Sequence, residues 1–515
     1  MKSILQYISF ILILFLICSK SQSQNFSPYF TLQRHNKYIE YLINSGQLDV
    51  DHPLNQPYTS DEILKNLPAE NKTFNDHWLK LVKKDLERLA SINDTLSNNG
   101  KFISGLAVGD KYIMNETDSS NYLFGNLFFG YEYKNFGIVY KHDFDEAYAN
   151  DTAYFVGTGK LTDDVLGRAS EAYLQWNLKN FGFFVGRLGR NFGINNEPGL
   201  LLSNNPFSYD HLALKFSNRV LNFTFLLTRM NDLYGYDIRD SVPVYSWNRR
   251  FLSVHRFEIS LLQNLEIAFS ESILFGGQDQ SIRFQYINPA NIVFFSKITD
   301  RNSYEEQKAN AFMSFEVFYK PINKITLFSQ LLIDDIDFKK DLREQYPDRL
   351  GLTGKMVYSD LLRVSQIYLV YNRISNWTYN SFYNWANYTY YGASLGFPNN
   401  GFEKITLGAD IFRLAPFIFN VEFNAQRQRA QDLSSPFIAE KTEFPIGIAE
   451  NRYMGSFSTT WFPRTNFSVN VKFEYAQYQN FQNIENNSAE FFNVYLSAII
   501  NGIFDFEIND EKTKN

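Results

Sequence analysis

Along most of this chain, apolar and polar residues alternate one by one. The stretch "TNFSVNVKFEYAQYQ", residues 465–479, places Phe467, Phe473 and Tyr475 on one parity and Lys472 on the other. Because a β-strand points successive side chains to opposite faces, this pattern predicts a strand with one apolar and one polar surface. A soluble sandwich and a membrane barrel both contain such strands, so other features must distinguish them.

The same alternation recurs in many segments. Examples are "EAYLQWNL", "NLEIAF", "KITLGADIF", "FIFNVEFNAQ" and "FFNVYLSAII". These segments average about ten residues, the length that a tilted strand needs to cross a bilayer, whereas soluble strands average about five or six. We therefore expect an all-β transmembrane β-barrel whose apolar parity contacts lipid. The alternative, a secreted tandem of β-sandwiches, would need domain linkers and internal repeats that the sequence lacks.

The connections between the predicted strands alternate between tight turns and long polar loops, as in outer-membrane barrels. The tight turns fall near residues 134–135, 179–180, 218–219, 263–264, 321–324, 359–360 and 463–466. Long stretches lie near residues 143–168, 189–209, 229–247, 276–310 and 335–351. The count is about 18 antiparallel strands, and closure needs an even number. The alternation of turn lengths breaks down around 397–449, where we expect a further strand within 429–449.

Residues 24–97 have a different period and predict a small N-terminal α-helical bundle at the periplasmic end. Apolar residues recur at helical spacing in "RHNKYIEYLINSG", which stops at Gly46, and in "YTSDEILKNLP", where Thr59 and Glu62 form a capping box. A third helix, "DHWLKLVKKDLERLA", carries Trp78, Val82, Leu86 and Leu89 on one stripe. The polar segment 93–101 reads as a linker. The predicted barrel spans residues 98–506, and residues 507–515 form a polar tail.

The first residues have the layout of a secretory signal peptide. Lys2 precedes an apolar run from Ile8 to Ile17, and Ser21 and Ser23 occupy the small-residue positions before a cleavage site. We expect residues 1–23 to be removed, together with Cys18, the single cysteine of the chain. The mature chain then has no disulfide, no thiolate metal ligand and no cysteine nucleophile. With a barrel, this leader predicts the outer membrane of a Gram-negative cell.

Composition supports a barrel and argues against binding to nucleic acid. Aromatic residues make up 17% of the chain, yet its mean hydropathy is only −0.30. A barrel wall looks moderately polar on average because only alternate residues meet lipid. The formal net charge of −6 is small for 515 residues and predicts neither a nucleic-acid partner nor an acidic tail.

Two segments combine strand ends, turns and loops in a characteristic order. The first is "FFVGRLGRNFGINNEPGLLLSNNPFSYDHLALKF", residues 183–216, and the second is "RFLSVHRFEISLLQNLEIAFSESILFGG" followed by "IRFQYINPANIVFF". Both segments resemble the capsule-assembly Wzi family of outer-membrane proteins. The first segment departs from the family where a Trp-Gly-Pro-like turn is expected, because Phe192 stands at the Trp position. The resemblance implies a cell-surface barrel that binds or anchors the polysaccharide of a capsule or exopolysaccharide layer. It implies no catalysis.

An aromatic segment is the first candidate for contact with a polysaccharide. "NWTYNSFYNWANYTYY", residues 376–391, offers Trp377, Tyr379, Tyr383 and Trp385, with Tyr388 and Tyr390 following. Flat apolar ring faces can stack on sugar rings while asparagine side chains bond to hydroxyls. An aromatic girdle at the membrane interface explains the same residues equally well.

Arginines are the second candidate, because guanidinium groups pair bidentately with the carboxylates of acidic sugars. They lie in the two segments that resemble the family and are Arg187, Arg190, Arg249, Arg250, Arg256 and Arg283. As an alternative, inward-facing arginines would balance Glu258, Glu266 and Glu271 within the lumen.

Two smaller clusters are candidates for chemistry. "KHDFDEAY" groups His142, Asp143, Asp145 and Glu146 at the entrance to a long loop, as a divalent-cation site, an acid/base pair or simply a solvated rim. Ser253 and His255 share one parity, as the nucleophile and base of an outer-membrane hydrolase would, although the sequence offers no orienting carboxylate nearby. Glycine-rich phosphate loops and H-E-x-x-H motifs are absent from the sequence, so no cofactor is expected.

We therefore expect a polysaccharide-binding or polysaccharide-anchoring barrel with surface polysaccharide and outer-membrane lipid as partners. The main alternative is a porin-like channel for small solutes, and a hydrolase is a third. A channel predicts an unobstructed polar lumen, whereas an anchor predicts a blocked lumen and an exposed sugar-binding face.

Overall fold

The computed structural model describes most of the chain. The described residues are 29, 33–68, 76–89, 100–115, 119–150, 167–239, 242–278, 280–289, 291, 309–335, 347–361, 365–430, 433–434, 437, 443–464 and 466–508. The predicted signal peptide, most of the predicted linker at 93–101 and most of the predicted C-terminal tail lie outside the described residues.

Eighteen long strands follow one another along the chain and form one antiparallel sheet. The first nine are β1 Gly100–Met114, β2 Ser119–Tyr133, β3 Phe136–Asp145, β4 Gly167–Leu178, β5 Phe181–Leu188, β6 Tyr209–Ser217, β7 Leu221–Arg229, β8 Val242–Leu262 and β9 Leu265–Gly277. The next nine are β10 Asn310–Ile322, β11 Ile325–Asp335, β12 Arg349–Ser359, β13 Ser365–Ile374, β14 Phe402–Ile411, β15 Phe417–Gln428, β16 Glu450–Arg464, β17 Phe467–Gln479 and β18 Ser488–Ile508.

The sheet closes on itself because β1 pairs antiparallel with both β2 and β18. Gly100 lies opposite Ile508, and Met114 lies opposite Val494. The predicted barrel of about 18 antiparallel strands is therefore confirmed. One additional strand, Leu233–Arg239, lies outside this ring and pairs with the first part of β8.

Turn length separates the two ends of the barrel. The connections that follow the even-numbered strands are short, and both chain ends of the barrel lie with them; we name this the short-turn end. Most connections at the opposite, long-loop end are long, and the largest fully described loop is 375–401. The expected irregularity around 397–449 is wrong, because the short turn between β14 and β15 lies between two long loops. The described residues of 429–449 contain no strand, so the expected additional strand is wrong there too.

Most strands expose their apolar parity on the outside of the barrel. In β17, Phe473 and Tyr475 are exposed, whereas Ser468 and Glu474 are buried on the inner face. The same alternation places exposed Leu, Val, Ile, Phe and Tyr around the wall, for example Leu106, Leu127, Ile138, Val185, Phe315, Leu352 and Leu407. None of the helices in the described part of the chain is both long and apolar enough to cross a membrane.

Three helices precede the barrel, close to the predicted boundaries. They are α1 Asn36–Asn44, α2 Ser60–Asn66 and α3 Asp76–Leu89. The Thr59 side chain caps α2 by accepting a hydrogen bond from the Glu62 N–H. The predicted stripe on α3, from Trp78 to Leu89, is fully buried.

These helices pack on the short-turn end rather than forming a separate core. Tyr38, Leu42 and Trp78 belong to one buried cluster with Phe412 and Phe462, which lie beside the short turns of the barrel. The Trp78 indole N–H donates to the Phe412 carbonyl oxygen at 2.9 Å, and its ring lies 5.5 Å from that of Phe462. The three helices have too few apolar residues to form a stable core of their own, and short isolated helices are only marginally stable in water. Packing on the barrel therefore stabilises them.

Candidate functional site

Helix α1 enters the barrel and contacts its inner wall. The Lys355 ammonium group on β12 donates to the Glu40 carboxylate at 2.7 Å, and both side chains are buried. Lys320 on β10 donates to the Ile43 carbonyl oxygen at 2.9 Å. These contacts also satisfy carbonyl and carboxylate groups that would otherwise be buried without partners. The short-turn end of the lumen is thus occupied by the chain's own N-terminal segment.

A buried ion network fixes the segment that follows α1. Arg256 on β8 pairs with Glu258 at 2.6 Å and with Glu316 on β10 at 2.6 Å, and it donates to the Leu54 carbonyl oxygen at 3.0 Å. His52 pairs with Glu266 at 3.1 Å. The alternative in which arginines balance lumenal glutamates therefore holds for Arg256 and Glu258, whereas Glu266 is paired by a histidine.

A loop from the opposite end folds inward and meets this segment. Leu200, Leu201 and Leu202 are completely buried, and the Leu200 N–H donates to the Gln330 side-chain oxygen on β11 at 2.9 Å. The residue pair 55–56 forms a two-stranded ladder with residues 191–192 of the loop. Segments from both ends therefore meet inside the barrel, and the lumen is not the unobstructed passage that a channel predicts.

The aromatic segment 376–391 lies in the long loop 375–401, which packs against the inner wall. Trp377, Tyr379 and Trp385 are buried, so neither a sugar nor lipid can reach their faces in this conformation. The Tyr379 hydroxyl donates to the Leu200 carbonyl oxygen at 2.7 Å. Burial raises the pKa of Tyr379 and of the neighbouring Tyr388, which keeps both phenols protonated. Tyr383 is only partly buried, and of the four candidate rings it alone has an accessible face.

The predicted arginines do not converge on one site. Arg250 is completely buried and donates to the carbonyl oxygens of Asn387 and Thr389 at 2.7 Å each. Arg190 is buried between the rings of Tyr29 and Phe184. These two arginines, like Arg256, hold loops and the N-terminal segment against the wall.

Three arginines of the candidate set are at least partly accessible, and one of them, Arg283, donates to the Gln280 side-chain oxygen at 3.1 Å. Arg187 is partly exposed and pairs with Asp210 at 2.6 Å near the long-loop end. Arg249 is exposed on the outer face of β8. Sequence alone could not separate these from the buried arginines, because all of them occupy the same two strand segments.

In the two remaining candidate clusters, the side chains of Asp143, Asp145 and His255 each pair with another side chain of the protein. Lys111 pairs with Asp145 at 2.6 Å, and Lys141 lies 3.8 Å from Asp143, as expected of a solvated rim. Within the described residues, no group of three metal-binding side chains converges. His255 does have an orienting carboxylate that the sequence did not reveal, Glu271 at 2.7 Å, but no hydrogen bond joins His255 to Ser253.

A partly open cavity of about 420 Å³ lies at the long-loop end, between β16, β17, β18 and the first loop. Its lining combines aromatic rings with charged and amide groups, namely Asn115, Arg452, Glu474, Tyr478, Phe481, Phe491, Asn493 and Tyr495. The Arg452 guanidinium pairs with Glu474 at 3.0 Å and lies over the Tyr478 ring at 5.4 Å. Such a mixture of flat apolar faces and paired polar groups can orient a small polar ligand.

This cavity was not predicted from the sequence, although the sequence contains a signal for it. Tyr478 shares its parity with Lys472 and Glu474, the polar parity of β17, and Phe491 and Tyr495 lie on the inner parity of β18. An aromatic residue on the polar parity of a barrel strand contacts the lumen instead of lipid. Such exceptions to the alternation therefore mark aromatic rings that are available to a ligand inside the barrel mouth.

Comparison with known proteins places the chain in a family. The profile of the family "Capsule assembly protein Wzi" matches residues 129–491. Among solved structures, the chain is similar to Wzi of Escherichia coli, described as an outer-membrane protein involved in group 1 capsule assembly and a carbohydrate-binding β-barrel. The two share 13% sequence identity with a TM-score of 0.60, over 93% of this chain and 100% of that one.

A more distant likeness is to OccD3 (OpdP) of Pseudomonas aeruginosa, at 10% identity and a TM-score of 0.45, over 78% of this chain and 91% of that one. No curated sequence matches this chain. Because the family profile spans well over half of the sequence, the protein belongs to the Wzi family of capsule assembly proteins.

Proposed function

We propose that this protein resides in the outer membrane and binds surface polysaccharide during the assembly of a capsule or exopolysaccharide layer. Outer-membrane barrels carry short turns on the periplasmic side and long loops on the outside of the cell. In this proposal the cavity beside Tyr478 faces the outside of the cell, and the helices α1–α3 lie at the periplasmic end of the barrel. In this proposal the leader 1–23 is a cleaved signal peptide, and the protein acts by binding without catalysis.

The filled lumen is the observation that supports binding over transport. A channel must leave a continuous aqueous path, yet α1, the segment around Leu54 and the loop around Leu200 all contact the inner wall. One of these contacts, between Lys355 and Glu40, is a buried ion pair, and removing one partner of such a pair is costly. A surface-binding role requires no path through the barrel.

The cavity at the long-loop end is our proposed sugar-binding site. Tyr478, Phe481 and Phe491 lie with their ring centroids 5.2–5.5 Å apart and form one apolar patch. Arg452 and Glu474 lie beside this patch and offer both a donor and an acceptor for sugar hydroxyls or carboxylates. Tyr383, Arg187 and Arg249, accessible members of the predicted set, are further candidates for contact with the same polymer.

Replacing Tyr478 with alanine should weaken polysaccharide binding by about 1–3 kcal/mol if its ring is engaged. Binding of labelled surface polysaccharide to the purified protein, and retention of polysaccharide by cells that carry the variant, would measure this effect. Tyr453→Ala is the matched control, because Tyr453 is an exposed ring on the outer parity of the neighbouring strand β16. Cells that lack the protein should lose polysaccharide from their surface, and normal retention by them would contradict the proposed function.

A further inference from the structure

The strand Leu233–Arg239 and the first part of β8 form a hairpin at the long-loop end. Tyr234 lies opposite Trp247, and Tyr236 lies opposite Tyr245. We call these four residues the hairpin face. Three of them are among the more exposed large side chains of the described chain, with 55%, 66% and 63% of the surface of Tyr234, Trp247 and Tyr245 accessible.

The rings of the hairpin face contact one another and form a continuous strip. The Tyr234 centroid lies 5.7 Å from that of Trp247 and 6.2 Å from that of Tyr245, and Tyr236 lies 6.0 Å from Tyr245. Tyr236 is also 6.0 Å from Tyr383, the accessible one of the four candidate rings in the aromatic segment. The strip therefore extends from the hairpin onto loop 375–401.

Strand length places this strip beyond the hydrocarbon region. Strand β8 has 21 residues, and its last residues Leu261 and Leu262 are exposed at the short-turn end. With about 3.3 Å per residue and a tilt of about 40°, Trp247 lies roughly 35–40 Å above Leu262. The apolar band of such barrels is only about 25 Å tall. The rings of the hairpin face therefore lie outside the hydrocarbon region and cannot anchor the barrel wall among the acyl chains.

The hairpin is held rigidly at its base. The Asn248 side chain, fully buried, donates to the carbonyl oxygens of Ser246 at 2.9 Å and Gly235 at 3.2 Å. The Tyr236 hydroxyl donates to the Phe382 carbonyl oxygen at 2.9 Å. Gly235 permits close approach, since a Cβ there would lie 2.2 Å from the Asn384 side-chain oxygen. Exposed rings on a rigid support lose little conformational entropy when they bind.

On the side toward the barrel, the aromatic strip is followed by the positively charged side chain of Arg249. Arg249 is exposed and shares the outer parity of β8 with Tyr245 and Trp247. Its guanidinium group offers a fork of donors that suits a carboxylate. An accessible aromatic strip that ends at an accessible arginine complements a chain with flat sugar rings and periodic carboxylates.

We propose that the hairpin face and Arg249 form a second saccharide-binding surface, outside the barrel, that takes an extended acidic polysaccharide chain. The rings stack on successive sugars, and Arg249 pairs with a carboxylate of the same chain. This inference rests on the proposed function and extends it, because the cavity beside Tyr478 would hold a different part of the polymer. Two surfaces on one rigid barrel would bind one long chain more tightly than either alone.

The test uses the full-length protein and the surface polysaccharide of the producing cells, separated by anion exchange into acidic and neutral fractions. Trp247→Ala and Tyr245→Ala should each weaken binding of the acidic fraction about 5- to 10-fold. Arg249→Gln should weaken binding of the acidic fraction only and reduce its salt dependence. Trp461→Ala is the matched control, because Trp461 is an exposed tryptophan on the outer parity of β16 near the short-turn end.

A second measurement separates polysaccharide from lipid as the occupant. The single cysteine of the chain lies in the predicted leader, so Tyr245→Cys can carry one fluorescent label. Brominated lipids should leave this label bright and should quench the same label at Tyr475→Cys, on the outer belt. Equal quenching at both positions would overturn the inference in favour of a lipid contact. A dimer that is lost in Trp247→Ala would overturn it in favour of a second copy of the chain.

The cavity variant Tyr478→Ala distinguishes failure of this inference from failure of the proposed function. If Tyr478→Ala weakens binding and the three hairpin variants do not, the hairpin surface is refuted while the proposed function stands. If the unaltered protein binds neither fraction, both proposals are refuted.

Discussion

Replacing Arg256 with methionine should lower the free energy of unfolding by about 3–5 kcal/mol and loosen the N-terminal segment inside the barrel. The guanidinium group is completely buried and pairs with the carboxylates of Glu258 and Glu316. Methionine fills much of the same volume but leaves two buried carboxylates without their cation. The Leu54 carbonyl oxygen also loses its donor, so the segment around residue 54 should open more often.

Urea titration of the folded barrel and limited proteolysis of residues 50–58 would measure the two effects of Arg256→Met. Arg249→Met is the matched control on the same strand, since Arg249 is exposed and its loss should change stability by less than about 0.5 kcal/mol. Adding Glu316→Gln to Arg256→Met should recover part of the lost stability by removing one unpaired charge. Equal unfolding midpoints for Arg256→Met and its control would show that the network does not stabilise the fold.

Replacing Trp78 with aspartate should release the helices from the short-turn end while the barrel itself stays closed. Trp78 is 2% exposed, donates to the Phe412 carbonyl oxygen and packs on Phe462. Loss of a buried tryptophan side chain costs about 3–5 kcal/mol, and the cost of burying a carboxylate adds to it. The helices α1–α3 have too little core of their own to absorb this loss.

Protease protection of residues 33–89 would report the release in Trp78→Asp, and the shift in gel mobility on heating would report the barrel. Lys80→Asp is the control, because it places the same charge on an exposed position of the same helix. Unchanged protection in Trp78→Asp would refute the docking of the helices on the barrel. Loss of the heat-dependent shift would instead mean that the barrel needs the helices in order to fold.

Arg256→Met and Trp78→Asp weaken two different contacts that close the lumen. The helices block the short-turn end through apolar packing around Trp78, and the segment beyond them is fixed by ions around Arg256. The loop around Leu200 closes the barrel from the other side. The packing around Trp78 and the network around Arg256 involve different residues, whereas the loop around Leu200 pairs directly with residues 55–56 of the segment that Arg256 holds.

The sequence by itself determined the wall of the barrel. Strand existence and the two faces of each strand follow from period-two alternation, which depends only on neighbouring residues, whereas the even count follows from closure of the barrel. Turn positions such as Lys134-Asn135 and Lys179-Asn180 could be identified because a short polar pair interrupts the alternation there, and both lysines adopt the left-handed conformation found in two-residue turns. The start of α2 could be identified from Thr59 and Glu62 for the same reason, since a cap is a contact between near neighbours.

The contents of the barrel were decided only by the tertiary structure. His52 meets Glu266, Lys355 meets Glu40 and Trp78 meets Phe412 across separations of more than 200 residues, which no local pattern encodes. The sequence shows the same aromatic residue whether its ring stacks on a sugar, anchors in lipid or fills a core. Trp377 and Trp385 therefore looked like a binding surface until the folded loop buried them, and Tyr478 became part of a cavity only because three strands converge around it.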